Sequence, residues 1–573
     1  MREAWSHPER DLLIGKELLP THLHYFYKWE KEKSDAPFLR QPSGNSWKIL
    51  SWGEAGQEAR RIASALQARE VQKGSLVGIL SKNCYHWILA DLAILMCGAV
   101  SVPFYPNLAP QDLETVLKKS EVTHLFVGKL DAGYWQSVRQ VIPPSIQLIH
   151  FPPYPGFSLV EEGESWEKLL QQHEPLQDAY LPTLEDLWTI LYTSGTTGTP
   201  KGVMLEYRSP ALFLQHEAQH NEIGLFDLKD ACFFSYLPLN HIAERLAIEL
   251  ACLYLGGTIS FAESLDTFLQ NLQDTQPTLF FGVPRIWQRF RLGILERFGE
   301  SRYRFLTRLP LVGSLLKKLI RKRLGLSRVE LALTGAAQTP DSVKLWFQDL
   351  GIYVRDVYAM TENCAGCTIM PKDRNKLGTV GKPLKGVHIQ IEPETGEILM
   401  RADWLMKGYY KDPEKTAEVL RDGWLHTGDT GELDEEGFLR ITGRVSDAFK
   451  TAKGMFVVPA PLEEPFGQLT YAEQVCVVGL GQVQPLILIT LSELGKKTDR
   501  HLVEQATLAI LHQVNQPLPP YQKLAKAVLL HDTWGVENSL LTPTLKLRRQ
   551  EIDKRYRSFY ESWLNQKETV IWA

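Results

Sequence analysis

Short apolar runs alternate with helix-length amphipathic stretches through the first half of the chain. Between about residues 52 and 160 the runs "SLVGIL", "AVSVPFY", "THLFVG" and "IQLIHF" are rich in β-branched and aromatic residues. Helix-like patterns separate them, so parallel α/β layers are expected. "LWTILYT", "ACFFSYLP", "TISFA", "PTLFFGVP" and "VELALTGAA" continue the series. From 387 to 444 the pattern changes. "VHIQIEPETGEILMRA" and "GELDEEGFLRITGR" predict antiparallel hairpins turning at Gly396 and Gly437. Beyond Arg444, "EQVCVVGLG", "LILITLS" and "KAVLLHD" read as strands and "DRHLVEQATLAILHQVNQ" as an amphipathic helix. The expected fold class is α/β. A large N-terminal domain (1–443) of layered α/β subdomains and a β-rich subdomain precedes a small α+β C-terminal domain (444–573). No Gly/Ser linker joins them, so any relative motion turns on a short hinge at 444–447.

The longest apolar stretch, residues 87–106, contains Asp91 and is interrupted by Pro103. It predicts a buried helix running into a strand rather than a membrane span. The N-terminal segment lacks the continuous apolar core of a signal peptide. With 573 residues, 44% hydrophobic and 23% charged, the chain can build a large core over more than one domain. A net charge of −4 gives no global reason to expect nucleic acid as a partner. Seven scattered cysteines do not make a disulfide framework. These features lead us to expect a cytoplasmic protein.

Chemistry enters with "YTSGTTGTPKG" at 192–202. It fails the G-x-x-x-x-G-K-[ST] pattern of a Walker loop, because Pro200 precedes Lys201 and Gly202 follows it. The physics of an anion cradle survives: glycines admit a phosphate to the backbone, hydroxyls donate, and Lys201 adds charge.

With its companions, this loop resembles the signature of the adenylate-forming superfamily, which includes acyl-CoA synthetases, peptide-synthetase adenylation domains and beetle luciferases. "LTGAA" (333–337), "VYAMTE" (357–362), "GWLHTGDTGELDEEGFLRITGR" and "LTPTLKLRR" follow in that family's order, and the resemblance runs from about residue 53 to the end. It implies that Thr193, Ser194, Gly195, Thr196, Thr197, Gly198 and Lys201 hold the β- and γ-phosphates of ATP. Gly335, Ala336 and Ala337 would line the adenine and acyl sites. Tyr358 would stack on adenine, Thr361 contact the α-phosphate and Glu362 hold Mg²⁺. Asp429 would bind the ribose hydroxyls beside Arg444, and Lys546 would be the catalytic lysine. The C-terminal domain is then expected to be mobile. Ser446 stands at the hinge position, where relatives carry Asp or Lys, and Asp447 could share the role. Gly454 in "KTAKGMFVVPAPLEE" would let the pantetheine arm of CoA approach.

Residues 235–245 ("SYLPLNHIAER") and 280–290 ("FFGVPRIWQRF") resemble the long-chain acyl-CoA synthetase versions of these segments. His241 is thereby expected near the acyl carboxylate, with Ile242, Gly282 and Val283 along the acyl path. Glu244 and Arg245 admit a second reading as a structural ion pair. Cys364 and Cys367 have no second pair at zinc-ligand spacing and are expected to pack beside the acyl channel. Residues 291–328 carry eleven Arg and Lys against two Glu, with interleaved leucines. A helix of this kind could lie on the inner face of an anionic membrane or be a solvated surface helix. The expected function is ligation of a long-chain fatty acid to CoA through acyl-AMP, using ATP and Mg²⁺. Transfer to an acyl-carrier protein, which presents the same thiol, is the alternative.

Overall fold

The computed structural model describes residues 19–193, 200–536, 538–542 and 546–573. Two large sheets carry the N-terminal part. One runs in the order Gly408–Tyr409, Lys201–Glu206, Leu187–Thr193, Val100–Phe104, Leu76–Ser81, His124–Gly128, Gln147–His150, Glu164–Ser165. It is parallel from Leu187–Thr193 onward, as the alternating pattern predicts. The second contains the parallel neighbours Val354–Tyr358, Leu331–Thr334, Leu279–Gly282, Cys232–Ser235 and Thr258–Phe261, flanked by antiparallel edges.

The helix Tyr85–Met96 between these layers is apolar nearly all round, and all twelve of its residues are buried. That is how a helix reads when it has no solvent face. It leads into the strand Val100–Phe104, so the longest apolar stretch is a core helix and a strand. Among the described residues no helix is long and apolar enough to cross a membrane.

The predicted hairpins form a separate antiparallel sheet. His388–Ile391 pairs with Glu397–Arg401 around Gly396, and Trp424–Leu433 with Leu439–Arg444 around Gly437. Both glycines have φ near +70 to +80°, which these turns require. The C-terminal sheet runs Ala472–Val478, Leu486–Leu491, Ala527–Leu530, Val570–Trp572, covered by the helix Arg500–Asn515. Residues 291–328 do not form one helix. They continue Pro284–Phe298, then make Glu300–Arg308 and Val312–Arg323, interrupted by Gly299 (φ +72°) and by the segment 309–311.

Candidate active site

Parallel strands that end side by side leave a crevice at their carboxyl ends, and loops leaving those ends furnish it. His241 follows Cys232–Ser235, Val283 follows Leu279–Gly282, and Ala336 and Ala337 follow Leu331–Thr334. Thr361 and Glu362 follow Val354–Tyr358. All of them line one cavity of about 1490 Å³, together with Thr193, Lys201, Ile242, Tyr358, Asp429, Arg444, Ser446 and Lys546. Ala336 holds φ at +67°, a left-handed conformation that alanine adopts only at a cost.

One half of the cavity is built from charge. Asp429 and Arg444 face each other across the antiparallel pair, and the register brings Arg444 Nε to 3.0 Å from Asp429 Oδ1. Tyr358 donates its hydroxyl to Asp429 Oδ2 at 2.8 Å. The carboxylate between them holds the Arg444 guanidinium more firmly charged than usual. Nearby, Tyr409 donates to Glu362 Oε1 at 2.8 Å, and the Lys201 ammonium lies 5.3 Å from the Tyr409 ring centroid. This follows from the sheet, where Lys201 pairs with Thr193 and the strand Gly408–Tyr409 adds on the other side. Burial draws the Lys201 pKa below its ordinary range, with Lys415 acting in the same direction.

Lys546 reaches this half from the C-terminal part. Its backbone is tied to Thr542 in both directions, N–H to Oγ1 at 3.1 Å and C=O from N–H at 2.8 Å. Enclosure in the cleft and the Arg444 guanidinium lower its pKa, while Asp429 and Glu362 oppose that shift. His241 caps a short helix, and its Nδ1 accepts the Ala243 N–H at 3.2 Å. Enclosure and the Lys546 ammonium push its imidazolium pKa down to about 4. At neutral pH His241 is therefore uncharged with its proton on Nε2, a donor and not a cation.

The other half is an apolar arm. Phe213, Leu225, Leu246, Ala251, Phe281 and Leu333 are among its walls. Leu246 lies in a π-helical turn, Arg245–Leu250, a distortion that recurs at functional sites. Beneath it, Arg245 is wholly buried. It pairs with Asp91 at 2.6 Å and Glu249 at 2.8 Å, donates to Thr189 Oγ1 at 3.1 Å, and lies 4.5 Å from the Trp188 ring centroid. Glu244 does not pair with Arg245. It turns the other way, accepting from Ser235 Oγ at 2.8 Å and the Tyr236 N–H at 2.9 Å, and burial raises its pKa to about 8. The ion-pair reading of these two neighbours is thus replaced. Consecutive positions on a helix diverge by about 100°, so the two side chains point in different directions, and the arginine takes its partner Asp91 from a distant helix.

Several expected residues stand apart from the cavity wall. Gly335 and Gly282 lie behind it; a Cβ on Gly282 would meet the Trp287 indole at 2.7 Å, so that glycine serves packing. Gly454 sits in the turn between Phe449–Lys450 and Phe456–Val457, away from the cavity. Ser194, Gly195, Thr196, Thr197 and Gly198 lie outside the described residues. Cys364 and Cys367 are buried free thiols, and Ala365 between them lines the arm. Tyr409 has no role in the sequence reading; its partnership with Glu362 is set by the pairing of Gly408–Tyr409 with the distant strand Lys201–Glu206.

Among the described residues no group of three His, Cys, Asp or Glu side chains could hold a metal by itself. Glu362 still fits Mg²⁺. It is a carboxylate on the cavity wall, fixed by Tyr409, and Mg²⁺ commonly takes one or two protein carboxylates plus substrate phosphates.

The layered sheets, the charged cleft and the small C-terminal sheet are the architecture of adenylate-forming enzymes. The family model described as AMP-binding enzyme matches residues 26–410, and that for the AMP-binding enzyme C-terminal domain matches 447–567. The chain belongs to the AMP-binding enzyme family. It is 30% identical to Fatty acyl-CoA synthetase A of Dictyostelium discoideum, over 94% of this chain and 90% of that one. It is 28% identical to Long-chain-fatty-acid–CoA ligase 5 of Rattus norvegicus, over 91% and 86%. Its fold superposes with a TM-score of 0.70 on the O-succinylbenzoate coenzyme A synthetase of Bacillus subtilis in complex with ATP and magnesium ion, at 21% identity, covering 92% of this chain and 99% of that one.

Proposed function

We propose that this protein activates a long-chain fatty acid with ATP and Mg²⁺ to acyl-AMP, then passes the acyl group to the thiol of CoA. The observation that carries the reading is the continuity of the cavity. A charged half suited to a nucleotide opens directly into an apolar arm suited to an alkyl chain. The names of the curated relatives favour CoA over a carrier protein as acceptor.

In the first step a carboxylate oxygen attacks the α-phosphorus and the α–β bridging bond breaks, releasing pyrophosphate. Both partners are anionic, so charge must be neutralised before they can meet. Lys546 would sit between carboxylate and α-phosphate, and His241 would donate Nε2–H to the same oxygens without adding charge. Asp429, held by Arg444 and Tyr358, would accept the ribose hydroxyls, and Thr361 would contact the α-phosphate. Lys201 and Thr193, with the loop that follows, would hold the departing pyrophosphate. Mg²⁺ at Glu362 would offset the phosphate charge when bound. In the second step the thiol sulfur attacks the acyl carbon and AMP leaves. Gly454, now outside the cavity, supports a rotation of the C-terminal domain about 444–447 that withdraws Lys546 and brings in the thiol path. Incubation with ATP, Mg²⁺, fatty acids of graded length and either CoA or carrier protein tests the reading. AMP, pyrophosphate and acyl-CoA are expected, and no AMP with any fatty acid overturns it.

The enzyme also meets its substrate at a lipid surface in this reading. Val312, Leu315 and Leu319 recur at helical spacing on one face of Val312–Arg323 and are exposed. Phe305 (65% exposed) and Leu311 (82%) extend the apolar patch. Arg302, Arg308, Lys318 and Lys322, all exposed, flank it with positive charge suited to anionic headgroups. Flotation with anionic vesicles at low salt, lost on Leu315→Glu, is the expected result; no binding at either low or high salt rejects it.

A further inference from the structure

The apolar arm has an end, and the structure assigns it. A second, small cavity of about 10 Å³, room for about one water, lies beyond the arm. It shares Phe213, Ile223 and Leu384 with the main cavity, so these three side chains form a septum with a cavity on each side. Its remaining lining is mixed: Trp404, His216, Glu217, Glu222 and the exposed Lys385.

The septum is held rather than loosely packed. Phe213 stands against Trp404, ring centroids 5.6 Å apart and edge to face. Trp404 in turn donates its indole N–H to the Gly366 carbonyl at 2.9 Å. Gly366 makes room for Phe213: a Cβ there would come within 2.5 Å of its ring. Ile223 is fixed from both ends of its peptide. Its N–H reaches Glu217 Oε2 at 3.0 Å, and its carbonyl accepts from Arg355 Nη1 at 2.5 Å. Glu217 also receives the N–H groups of Gly224 and Leu225 at 2.8 and 3.0 Å, which fastens the whole turn against the arm. Arg355 is buried on the strand Val354–Tyr358, the same strand that ends in Tyr358 of the nucleotide half. The wall opposing the methyl end of a chain is therefore anchored to the frame that positions the chemistry.

We propose that Phe213, Ile223 and Leu384 are the floor of the acyl arm and set the longest chain this enzyme accepts. An alkyl chain that reaches them can lengthen only by displacing a fixed ring or by forcing its way into a space of about 10 Å³, too small to take a further methylene run. Both penalties rise sharply at one chain length, so the floor imposes a cut-off and not a gradual decline.

The proposal rests on the fatty-acid reading above, and its test separates the two. The wild type, Phe213→Ala and Phe213→Trp are assayed for acyl-AMP formation with fatty acids of graded length, with melting temperatures followed in parallel. A methylene in an apolar pocket is worth on the order of tenfold or more in kcat/KM. Phe213→Ala is expected to raise the ratio of long- to short-chain kcat/KM by about tenfold or more, and Phe213→Trp to lower it by a similar factor. Loss of packing alone would depress every chain length together and could not move the two variants in opposite directions. Should Phe213→Ala lose its fold, Ile223→Ala makes the same test with a smaller cut. A length profile that stays at the wild-type shape in the folded variants overturns the floor while leaving the activity reading intact. Failure of the wild type to adenylate any fatty acid overturns the activity reading itself.

Discussion

Two arginine–carboxylate clusters in this molecule use the same groups to opposite ends. Arg245 with Asp91 and Glu249 is sealed from water, and all its partners are inside the protein. Arg444 with Asp429 opens on the cavity, with the Arg444 side chain 43% exposed, and leaves hydrogen-bonding capacity directed at a ligand. A sealed cluster can be satisfied only by itself, so it fixes geometry. Here it anchors the π-helical turn whose next residue, Leu246, walls the apolar arm. A half-open cluster is incomplete without a partner, and that incompleteness is what allows it to bind. The difference lies in burial, not in residue type.

The comparison breaks most visibly at Arg245. Arg245→Ala leaves two buried carboxylates without their cation and is expected to cost about 3–5 kcal/mol of stability, read by denaturant unfolding. If stability holds and only adenylation falls, the sealed cluster is not structural. Asp429→Asn removes charge from the open cluster, and about 1.5–3 kcal/mol of nucleotide binding is expected to go, the size of a hydrogen bond to a charged group. It should appear as a raised KM for ATP with little change in unfolding free energy; the reverse pattern would make both clusters scaffolding. The smallest effect is in pH. The Lys546 pKa is lowered, so the ammonium sheds its proton at a pH below the ordinary lysine range. Adenylation that needs the cation then falls as pH rises through that lowered value, and Lys546→Arg should carry the limb upward. Acyl-AMP formation followed against pH checks this, and an alkaline limb at ordinary lysine values contradicts it.

Much of this arrangement was legible before any coordinates. The parallel strands announce themselves because strands buried on both faces read as continuous β-branched and aromatic runs. Asp429, Arg444, Tyr358 and Glu362 sit in contiguous motifs, and the strand register explains why two of them meet. Other features depend on contacts between distant segments. Asp91 and Arg245 are separated by 154 positions, and nothing near Arg245 in sequence indicates that it faces away from Glu244. The Tyr409–Glu362 bond depends on which strand adds to the sheet edge. The proposed floor of Phe213, Ile223 and Leu384 depends on packing between a helix, a turn and a segment after Lys382–Pro383, all distant in sequence. The basic stretch at 291–328 was visible as composition, but its division into separate helices turns on Gly299 and the 309–311 break.

The central claim is that Lys546 acts in forming the acyl-adenylate and then leaves. It is tested most directly with Lys546→Ala in two separate half-reactions. Acyl-AMP formation from ATP and fatty acid should fall by about 10²–10³-fold, the scale of losing one preorganised charge-stabilising group. Thioester formation from supplied acyl-AMP and CoA should retain most of its rate. Equal loss in both half-reactions would contradict the account.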